Sequence, residues 1–379
     1  MIETKKTMGL YIHIPYCQKE CHYCDFLKFI NRDDTIDDYI HYLLKEIELY
    51  RENNYLVDTI YFGGGTPSYI DSSYIVQIIS KIREIFEVAD DCELSIEMNP
   101  ESVTKEKLTD YLNGGMNRFT MGIQSFDDKV LRMMGRVHRR ETIFEKLDLM
   151  HQLGIENIGI DLMFGNPKQN YEILKSDVEQ AMELDVKHIS YYSLMIKENT
   201  AFARWVQTGQ FILLDDEQER DMYYLIQQTL QENGFEQYEV SNFAKPGHQS
   251  RHNKKYWTLE NYIGLGLGAS SNIDLVRFIN VSDFEEHYEK IDAGQFPVHE
   301  SETMNKEERE KEYIMLNMRL LQGFELNKFK DRFGVDFLEK YSAAVQKHLQ
   351  FKTIEITENR LHFTDYGLDI GNQFYLDIL

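Results

Sequence analysis

Near its N-terminus the chain reads Tyr11-Ile-His-Ile-Pro-Tyr-Cys17-Gln-Lys-Glu-Cys21-His-Tyr-Cys24-Asp-Phe26, and this stretch decides how the rest of the sequence is interpreted. The apolar run before the cysteines predicts a strand, and the cysteines follow it on a loop with the spacing C-x3-C-x2-C. Three thiolates on one short loop can hold one face of a cubane iron–sulfur cluster. Three protein ligands for four irons leave one iron open, and an open metal position can bind a cofactor or substrate directly.

A zinc site is the alternative explanation for the three cysteines, with His22 or His13 as the fourth ligand. Zinc-binding loops usually supply two separated pairs of ligands, and this sequence contains no second pair. Cys92, the remaining cysteine, stands alone in a predicted strand and is expected to lie in the core. The spacing therefore favours the iron–sulfur cluster over zinc.

The bulk composition limits the classes of function. The chain has 379 residues and a formal net charge of −23, from 64 acidic and 41 basic residues. Phosphate backbones repel such a chain, so nucleic acid is not expected as a partner. The first eight residues lack the apolar segment of a secretory signal, and no run of about 18 apolar residues predicts a membrane helix. We expect a cytoplasmic protein, and in that reducing compartment clustered cysteines indicate metal binding rather than a disulfide.

Short apolar runs alternate with amphipathic helical patterns through the first 200 residues. The predicted strands are Leu10–Ile14, Thr59–Phe62, Glu93–Glu97, Arg118–Gly122, Asn157–Leu162 and His188–Tyr192. The helical patterns between them are Ile36–Tyr50, Tyr74–Phe86, Lys105–Leu112, Thr142–Leu153 and Tyr171–Leu184. Six strand–helix units predict an α/β fold with a parallel sheet, either open or a partial (β/α)6 barrel, because parallel neighbours need a crossover helix. Ligands of such folds bind at the carboxyl ends of the strands.

The rest of the chain is predicted to form two further parts. Residues 201–300 have a mixed pattern and are expected to extend the barrel domain at 1–200. Residues 301–379 are predicted to form a mostly helical, winged-helix-like domain, with helices and a hairpin at Lys306–Leu321, Leu326–Phe333, Asp336–His348, Ile354–Ile356 and Arg360–Phe363. Because the chain is so acidic, packing or partner binding is a better expectation for this domain than DNA binding.

Polar and glycine-rich segments follow several of the predicted strands. The second strand leads into Tyr61-Phe-Gly-Gly-Gly-Thr-Pro-Ser68, where glycines allow a ligand to approach the backbone closely. A carboxylate at the end of the third strand can accept hydrogen bonds from two ribose hydroxyls. Any one polar residue at such a position is more often a cap or a surface ion pair. Four such residues stand at or after successive predicted strands: Glu97, Gln124, Arg136 and Asp161. Each stands in a local motif that matches the family described next, and this match favours one shared binding site.

The cysteine spacing, with an aromatic residue before the last cysteine, resembles the radical S-adenosylmethionine superfamily. The lead-in Tyr-Ile-His-Ile-Pro resembles its coproporphyrinogen-dehydrogenase-like branch. The resemblance implies a [4Fe–4S] cluster on Cys17, Cys21 and Cys24, whose open iron chelates S-adenosylmethionine for reductive cleavage. It also implies S-adenosylmethionine contacts from Tyr11, Tyr23, Gly64, Gly65, Thr66, Glu97, Gln124, Arg136 and Asp161.

Two departures and one additional motif indicate the branch of the superfamily. True coproporphyrinogen dehydrogenases carry a further cysteine two residues after the third ligand, where this chain has Phe26. They also carry a long N-terminal extension, whereas only a short segment precedes Cys17 here. The additional motif, Arg251-His-Asn-Lys-Lys-Tyr-Trp257, matches His-Asn-x-x-Tyr-Trp and resembles the HemW family of heme chaperones.

The additional motif supplies candidate heme contacts. His252 is a candidate axial iron ligand, and Tyr256 and Trp257 offer flat apolar surfaces for a porphyrin, although a histidine beside aromatic residues is more often structural. His248 and His138 are further candidate ligands. The resemblance implies a heme chaperone that passes heme to an acceptor protein, such as one in respiration. The alternatives are an oxygen-independent coproporphyrinogen III dehydrogenase, which acts by oxidative decarboxylation, and a zinc-stapled interaction module.

Overall fold

The computed structural model describes residues 5–378. This part of the chain has fifteen strands: β1 Lys6–Ile14, β2 Tyr55–Gly64, β3 Glu87–Met98, β4 Arg118–Gln124, β5 Ile158–Phe164, β6 His188–Ser193, β7 Glu236–Glu239, β8 Asn242–Ala244, β9 Tyr262–Leu265, β10 Ser270–Ile273, β11 Val276–Asn280, β12 Val298–Thr303, β13 Phe324–Glu325, β14 Ile354–Thr357 and β15 Arg360–Phe363. Twelve strands form one sheet in the order β12-β11-β10-β9-β1-β2-β3-β4-β5-β6-β8-β7. The last three form a second sheet in the order β13-β15-β14.

Sixteen helices of the described range connect and cover these strands: α1 Ile36–Glu48, α2 Ser72–Ile85, α3 Lys105–Asn113, α4 Asp128–Met133, α5 Arg140–Gln152, α6 Tyr171–Met182, α7 Ala201–Gln207, α8 Asp216–Glu232, α9 Arg251–Trp257, α10 Phe284–Asp292, α11 Lys306–Asn317, α12 Leu326–Phe333, α13 Phe337–Lys340, α14 Ser342–Gln350, α15 Asp365–Ile370 and α16 Asn372–Ile378. Asp71 and Thr104 cap α2 and α3 by accepting hydrogen bonds from backbone N–H groups. Between residues 5 and 378, none of the helices combines the length and apolar character that crossing a membrane requires.

The first six strands pair in parallel in chain order, from β1 to β6. Each of the six predicted strands is present, and a helix follows each of the first five, so the predicted α/β fold is confirmed. All seven residues of β4 are buried, as expected for a strand covered on both faces. Parallel pairing places the carboxyl ends of all six strands at one edge, where the loops that follow them meet.

The twelve-stranded sheet does not close on itself within the described residues. The outer strands of the parallel part, β1 and β6, pair with β9 and β8 instead of with each other. β9 is parallel to β1, whereas β10, β11 and β12 continue antiparallel on that side, and β7 is antiparallel to β8 on the other. Residues 236–303 therefore add six short strands to the sheet that residues 6–193 begin.

The parallel part curves like the wall of a partial barrel. Side chains of five neighbouring strands, β2 to β6, line one small cavity together with Asn253 of α9 and Ser250, which caps that helix. Such convergence requires the strands to surround this point rather than lie flat. The main apolar core packs the strands against the crossover helices with buried isoleucine, leucine and phenylalanine side chains. The cavity therefore marks the inner side of the barrel wall.

A second apolar core holds the C-terminal region together, which is mostly helical as predicted. Phe329 and Phe337 pack at its centre with ring centroids 5.2 Å apart. The predicted hairpin is formed by β14 and β15. The predicted helix Asp336–His348 is two helices, α13 and α14, because Tyr341 leaves the helical conformation (φ −105°, ψ 24°). Tyr341 packs on Phe337 and donates a hydrogen bond to Glu310 of α11, which explains the break.

Candidate functional site

The predicted cluster ligands lie together on the loop between β1 and α1. Cys17, Cys21 and Cys24 are half-buried free thiols. Backbone hydrogen bonds fix the loop at both ends: Cys17 N donates to a carbonyl at 3.1 Å, and His22 N donates to Met134 O at 3.0 Å. The second bond ties the loop to the segment after α4. The three sulfurs are therefore held at the edge of the sheet where β1 ends.

Two polar side chains are directed at the cysteine sulfurs. Cys17 Sγ lies 3.4 Å from Thr66 Oγ1, and Arg136 Nη1 donates to Cys21 Sγ over 3.6 Å. Burial raises the pKa of the Cys17 thiol to about 11, so its thiolate needs a nearby cation to persist at neutral pH. Cluster iron would supply that charge. Three thiols with a hydroxyl and a guanidinium beside them form a donor set that fits a [4Fe–4S] cluster.

The zinc alternative needs a histidine as the fourth ligand, and both candidate histidines have other partners. His13 Nδ1 is 3.0 Å from the Tyr11 hydroxyl, and His13 Nε2 is 3.0 Å from Leu27 O. His22 Nδ1 is 2.7 Å from Met133 O. Among residues 5–378, no group of three His, Cys, Asp or Glu side chains is arranged to hold one metal ion. His13 therefore has both ring nitrogens engaged, whereas His22 is bonded through Nδ1 alone.

The glycine loop after β2 lies against the cysteine loop. Gly65 N donates to Ile14 O at 2.9 Å, and Thr66 N donates to Tyr16 O at 2.8 Å. Gly64 has a φ of +111°, which glycine adopts without strain. A Cβ at Gly65 would lie only 2.8 Å from Tyr16 O and 3.0 Å from Ile14 O. The loop therefore needs glycine for this close approach of two backbones, which brings the threonine hydroxyl to the cysteines.

Replacing Gly65 by alanine is expected to destabilise the protein by about 1–3 kcal/mol, because the methyl group would meet backbone atoms that cannot rotate away. The displaced Tyr16 precedes Cys17, so cluster incorporation should also fall. Urea unfolding and iron analysis after anaerobic reconstitution measure the two effects. Gly154→Ala is the matched control, since nothing lies within 4 Å of its Cβ position, and its φ of +75° should cost about 1 kcal/mol without loss of iron. Equal iron contents in the two variants would contradict this explanation.

Glu97, near the end of β3, lies among aromatic side chains. The Tyr61 hydroxyl donates to Glu97 Oε1 at 2.6 Å, and the ring of Tyr11 stacks on that of Tyr61 with centroids 6.3 Å apart. Burial raises the pKa of Glu97 to about 7 and that of Asp161, in β5, to about 6. Buried carboxylates with raised pKa values are typical of ligand sites, where a bound hydroxyl supplies the missing partners.

A polar cavity of about 30 Å³ lies between the strands and α9. Its lining includes Tyr61, Glu97, Asp161 and Asn253. The volume suits one water molecule, and His188, which also lines the cavity, has a buried Nδ1 without a hydrogen-bond partner among the described residues. The two carboxylates of the site therefore face one small, polar space.

Arg136 connects the cysteine loop to the strand ends. Its Nη2 donates to Gly122 O and to Asn99 Oδ1, both at 2.6 Å. Asn99 in turn donates to Thr66 Oγ1 at 2.9 Å. The sequence analysis missed Asn99 as a site residue, although it stands two positions after Glu97 in the same motif. Its linking role depends on the side chains around it, which spacing alone does not give.

Gln124 ends β4 with a φ of +66°, a left-handed conformation that is uncommon for residues other than glycine. A Cβ on Gly122 would lie 2.8 Å from Gln124 Nε2, so the glutamine side chain folds back over the glycine. Asp177 fixes the next residues by accepting hydrogen bonds from Ser125 Oγ and Phe126 N, at 2.7 and 2.8 Å. The surrounding structure thus maintains a strained residue at the site, which is typical of functional positions.

The structure brings the predicted S-adenosylmethionine contacts together in two neighbouring groups. One group surrounds the cysteines, and the other surrounds the cavity. Tyr23 packs beside the first group on Phe202, with ring centroids 6.3 Å apart. That these residues bind S-adenosylmethionine stays a prediction. In the first group, Thr66 and Arg136 contact the cysteine sulfurs. In the second group, Glu97 and Asp161 line the cavity, and Tyr11 stacks on Tyr61, which also lines it.

The predicted heme contacts lie on α9, and the histidine among them faces into the protein. His252 is fully buried, with Nδ1 2.9 Å from Thr59 Oγ1 and Nε2 2.9 Å from the Tyr256 hydroxyl. Burial lowers the pKa of His252 to about 3. Trp257 ends the helix, with the guanidinium carbon of Arg319 4.6 Å from its ring centroid. Iron coordination by His252 would require the hydrogen bond of the coordinating ring nitrogen to break, either to Thr59 or to Tyr256. Its contact with heme stays a prediction.

The other two candidate iron ligands differ in whether a ring nitrogen is free to bind iron. His138 is buried and uses both ring nitrogens, with Nδ1 3.3 Å from Glu101 Oε2 and Nε2 3.1 Å from Ile123 O. His248 is half-buried, and its Nδ1 lies 3.3 Å from Asn157 Oδ1. Within residues 5–378, His248 Nε2 has no hydrogen-bond partner. His248 is therefore the candidate with a ring nitrogen to spare.

Comparisons with known proteins agree with this geometry. Residues 11–181 match the Radical SAM superfamily, and residues 304–370 match the HemN C-terminal domain. Two curated proteins named heme chaperone HemW are 32% identical to this chain. The one from Bacillus subtilis covers 96% of this chain and 97% of its own length, and the one from Lactococcus lactis covers 98% and 97%.

A solved structure extends the likeness to the fold. Coproporphyrinogen III oxidase (HemN) from Escherichia coli, a radical SAM enzyme, has a TM-score of 0.86 with this chain, covers 99% of it and 90% of its own chain, and is 21% identical. The radical SAM domain implies a [4Fe–4S] cluster and S-adenosylmethionine as cofactors. The three cysteines, with Thr66 and Arg136 beside their sulfurs, form a donor set that fits the cluster. On its full-length identity to curated relatives and its radical SAM domain, the chain belongs to the HemW family of the radical S-adenosylmethionine superfamily.

Proposed function

We propose that this protein is a heme chaperone, which binds heme and a [4Fe–4S] cluster with S-adenosylmethionine and transfers the heme to an acceptor protein. The observation that carries the proposal is the match, over 96% of this chain, to a relative named heme chaperone. A shared fold leaves function open, but identity along both domains favours the same task. The acceptor is expected among heme proteins such as those of respiration.

The cofactor site supports the first part of this proposal. A cluster held by Cys17, Cys21 and Cys24 would have one iron open for the methionine end of S-adenosylmethionine, and it could supply the electron for cleavage. Arg136 would stabilise the negative charge of the bound thiolates through its hydrogen bond to sulfur. Glu97 would accept hydrogen bonds from the ribose, with the hydrogen bond from Tyr61 orienting its carboxylate.

A coproporphyrinogen III dehydrogenase is the alternative function. Such an enzyme must place a propionate β-carbon next to the 5′ carbon of the cofactor, so porphyrin and cofactor share one pocket. Phe26 is 66% exposed at the position where those enzymes carry a further cysteine. A phenyl ring cannot serve as the thiol that the dehydrogenases have there. This residue therefore favours the chaperone over the dehydrogenase.

Heme binding needs an iron ligand, an apolar face and reversible release. His252, Tyr256 and Trp257 are the contacts proposed from the motif, and His248 is the candidate ligand whose Nε2 lacks a partner within the described residues. Alanine variants of the two histidines separate these candidates, because only loss of the true ligand should shift the Soret maximum of the bound heme.

Hemin titration of the purified protein is expected to give a defined Soret band that saturates at about one heme per chain. The bound heme should pass to an acceptor apoprotein, because a chaperone must release its cargo. The reconstituted protein should form no protoporphyrinogen when it is incubated anaerobically with coproporphyrinogen III, S-adenosylmethionine and a reductant. An unrelated protein of similar net charge is the control for nonspecific hemin binding. Robust product formation, or a hemin spectrum equal to that of the control, would favour the dehydrogenase.

A further inference from the structure

Helix α9, which carries the His-Asn-x-x-Tyr-Trp motif, is fixed to strands β2 and β3. Glu93 of β3 accepts hydrogen bonds from the backbone N–H groups of Arg251 and His252, both at 3.0 Å. Lys255 forms an ion pair with Asp58 of β2 at 2.9 Å, and its side chain is only 4% exposed. A helix of seven residues has little stability of its own, so these bonds determine where it lies. The motif is therefore anchored to the barrel strands.

His252 is connected to Glu97 through Tyr61. The imidazole stacks on the phenol ring of Tyr61, with centroids 5.1 Å apart and an interplanar angle of 22°. The hydroxyl of that same tyrosine donates to the carboxylate at 2.6 Å. Thr59 and Tyr256 hold the two nitrogens of the imidazole, each at 2.9 Å. The orientation of the imidazole, and with it that of the phenol ring, is therefore fixed.

Asn253, the next residue of the motif, faces the same site. It lines the cavity of about 30 Å³ together with Glu97 and Asp161. The cavity suits one water molecule, which would join the amide to a carboxylate by hydrogen bonds. His252 thus reaches Glu97 through Tyr61, and Asn253 faces Glu97 and Asp161 across the cavity.

We propose that His252 and Asn253 are positioning residues of the nucleotide pocket, which orient Tyr61, Glu97 and Asp161 toward the ribose of S-adenosylmethionine. The inference requires S-adenosylmethionine to bind at this site, as the family implies. It does not require the protein to bind heme. These two residues of the motif then support the cofactor site, whichever residues contact heme. A carboxylate held in its binding orientation loses less freedom when the ribose arrives, so the binding is tighter.

The test compares His252→Ala with His252→Phe, which keeps a flat ring on Tyr61 but has no nitrogen atoms. Equilibrium dialysis of the reconstituted protein should give a dissociation constant for S-adenosylmethionine about tenfold higher for the alanine variant, with the phenylalanine variant in between. His41→Ala, on the exposed face of α1, is the control and should leave the constant unchanged. Asn253→Ala should raise it about threefold.

Two further measurements separate positioning from a general loss of structure. Free methionine reaches the open iron but has no ribose, so its effect on the paramagnetic resonance of the reduced cluster should be equal in wild type and His252→Ala. In a Tyr61→Phe background, His252→Ala should raise the dissociation constant less than about twofold, because its effect passes through the tyrosine hydroxyl.

The inference is overturned if His252→Ala binds S-adenosylmethionine as wild type does, or if its effect is the same with and without the Tyr61 hydroxyl. Loss of the Soret band with unchanged S-adenosylmethionine affinity would overturn it as well, and would assign His252 to heme. Wild-type protein that binds no hemin would end the proposed heme function, whereas a tenfold loss of S-adenosylmethionine affinity would still support this inference.

Discussion

Replacing Cys17 by alanine is expected to lower the iron and acid-labile sulfide of the reconstituted protein from about four of each per chain to near zero. The broad visible absorption of the cluster should disappear with them. A cubane held by only two thiolates would expose two irons to exchange, and the loop offers no other thiol. Cys17 is also the cysteine beside the glycine loop, since its Sγ contacts Thr66. The same loss is expected for alanine at Cys21 or Cys24.

Cys92→Ala is the matched control for this experiment. Cys92 lies in β3, is 8% exposed as the sequence predicted for a core residue, and has a pKa that burial raises to about 12. It should therefore stay a neutral thiol and take no part in the cluster. The variant should keep full iron and sulfide and lose about 1 kcal/mol of stability from the small cavity. Stoichiometric zinc without sulfide in the wild type, or full iron in Cys17→Ala, would contradict the cluster.

The parallel half of the fold could be predicted because the sequence patterns that indicate it are local. Most of its six strands contain a short apolar run, and helices such as α1 show apolar residues at helical spacing. Parallel order then follows, because each strand is separated from the next by a helix. Since carboxyl ends of parallel strands share one edge, motifs that follow different strands were expected to meet, and Thr66, Asn99 and Arg136 do so through hydrogen bonds.

The pairing of the later strands could not be predicted in the same way. β9 pairs in parallel with β1, so that Gly9 lies opposite Tyr262, far away along the chain. β12 has five exposed residues out of six, and its sequence shows no apolar stripe. Without such a stripe, nothing local distinguishes an edge strand from a loop. β9 pairs with the edge that β1 presents, and β12 pairs with the edge of β11. Both edges are properties of the folded sheet.

The surroundings of His252 are the clearest example within the site. The motif identified this histidine, but its partners Thr59 and Tyr61 lie on β2. Whether the imidazole faces solvent or the barrel depends on how α9 docks, which Glu93 and Lys255 determine through their bonds. A pattern of residue types along the chain contains no information about that docking. Sequence analysis could therefore predict that the residue matters, but not the direction in which it acts.

Glu97→Gln is expected to stabilise the cluster-free protein by about 1–3 kcal/mol at about pH 8. Burial raises the pKa of Glu97 to about 7 in the folded protein, above the value of about 4.3 in an unfolded chain. The unfolded state therefore releases this proton more readily, and stability is lost as the pH rises through about 7. Glutamine can still accept the hydrogen bond from Tyr61 but carries no charge, so the loss is avoided. At about pH 5 most of the gain should disappear, because the folded carboxyl is then protonated.

Glu97→Gln should also bind S-adenosylmethionine about 10- to 100-fold more weakly, because a neutral amide cannot replace charge-assisted hydrogen bonds to the ribose.

Glu101→Gln is the matched control, since the pKa of Glu101 is shifted the other way. Burial alone would raise that pKa, but a hydrogen bond from His138 and the charge of Arg136 hold it below its usual range. This pair stabilises the fold above the carboxyl's unfolded pKa, so Glu101→Gln should destabilise the protein at about pH 8.

Urea unfolding at about pH 5 and pH 8, with equilibrium dialysis of the reconstituted protein, measures both properties of each variant. A Glu97→Gln protein that loses stability at about pH 8, or that keeps wild-type affinity, would contradict a carboxylate held for the ribose. The two substitutions would then change the stability at about pH 8 in opposite directions, although Glu97 and Glu101 are only four positions apart. This difference would reflect the surroundings of each carboxylate. His138 and the charge of Arg136 stabilise the ionised form of Glu101. The hydrogen bond from Tyr61 does not offset the burial of Glu97, so its charge destabilises the chain until a ligand binds. A carboxylate whose charge destabilises the fold is expected at a position where function, rather than folding, determines the residue.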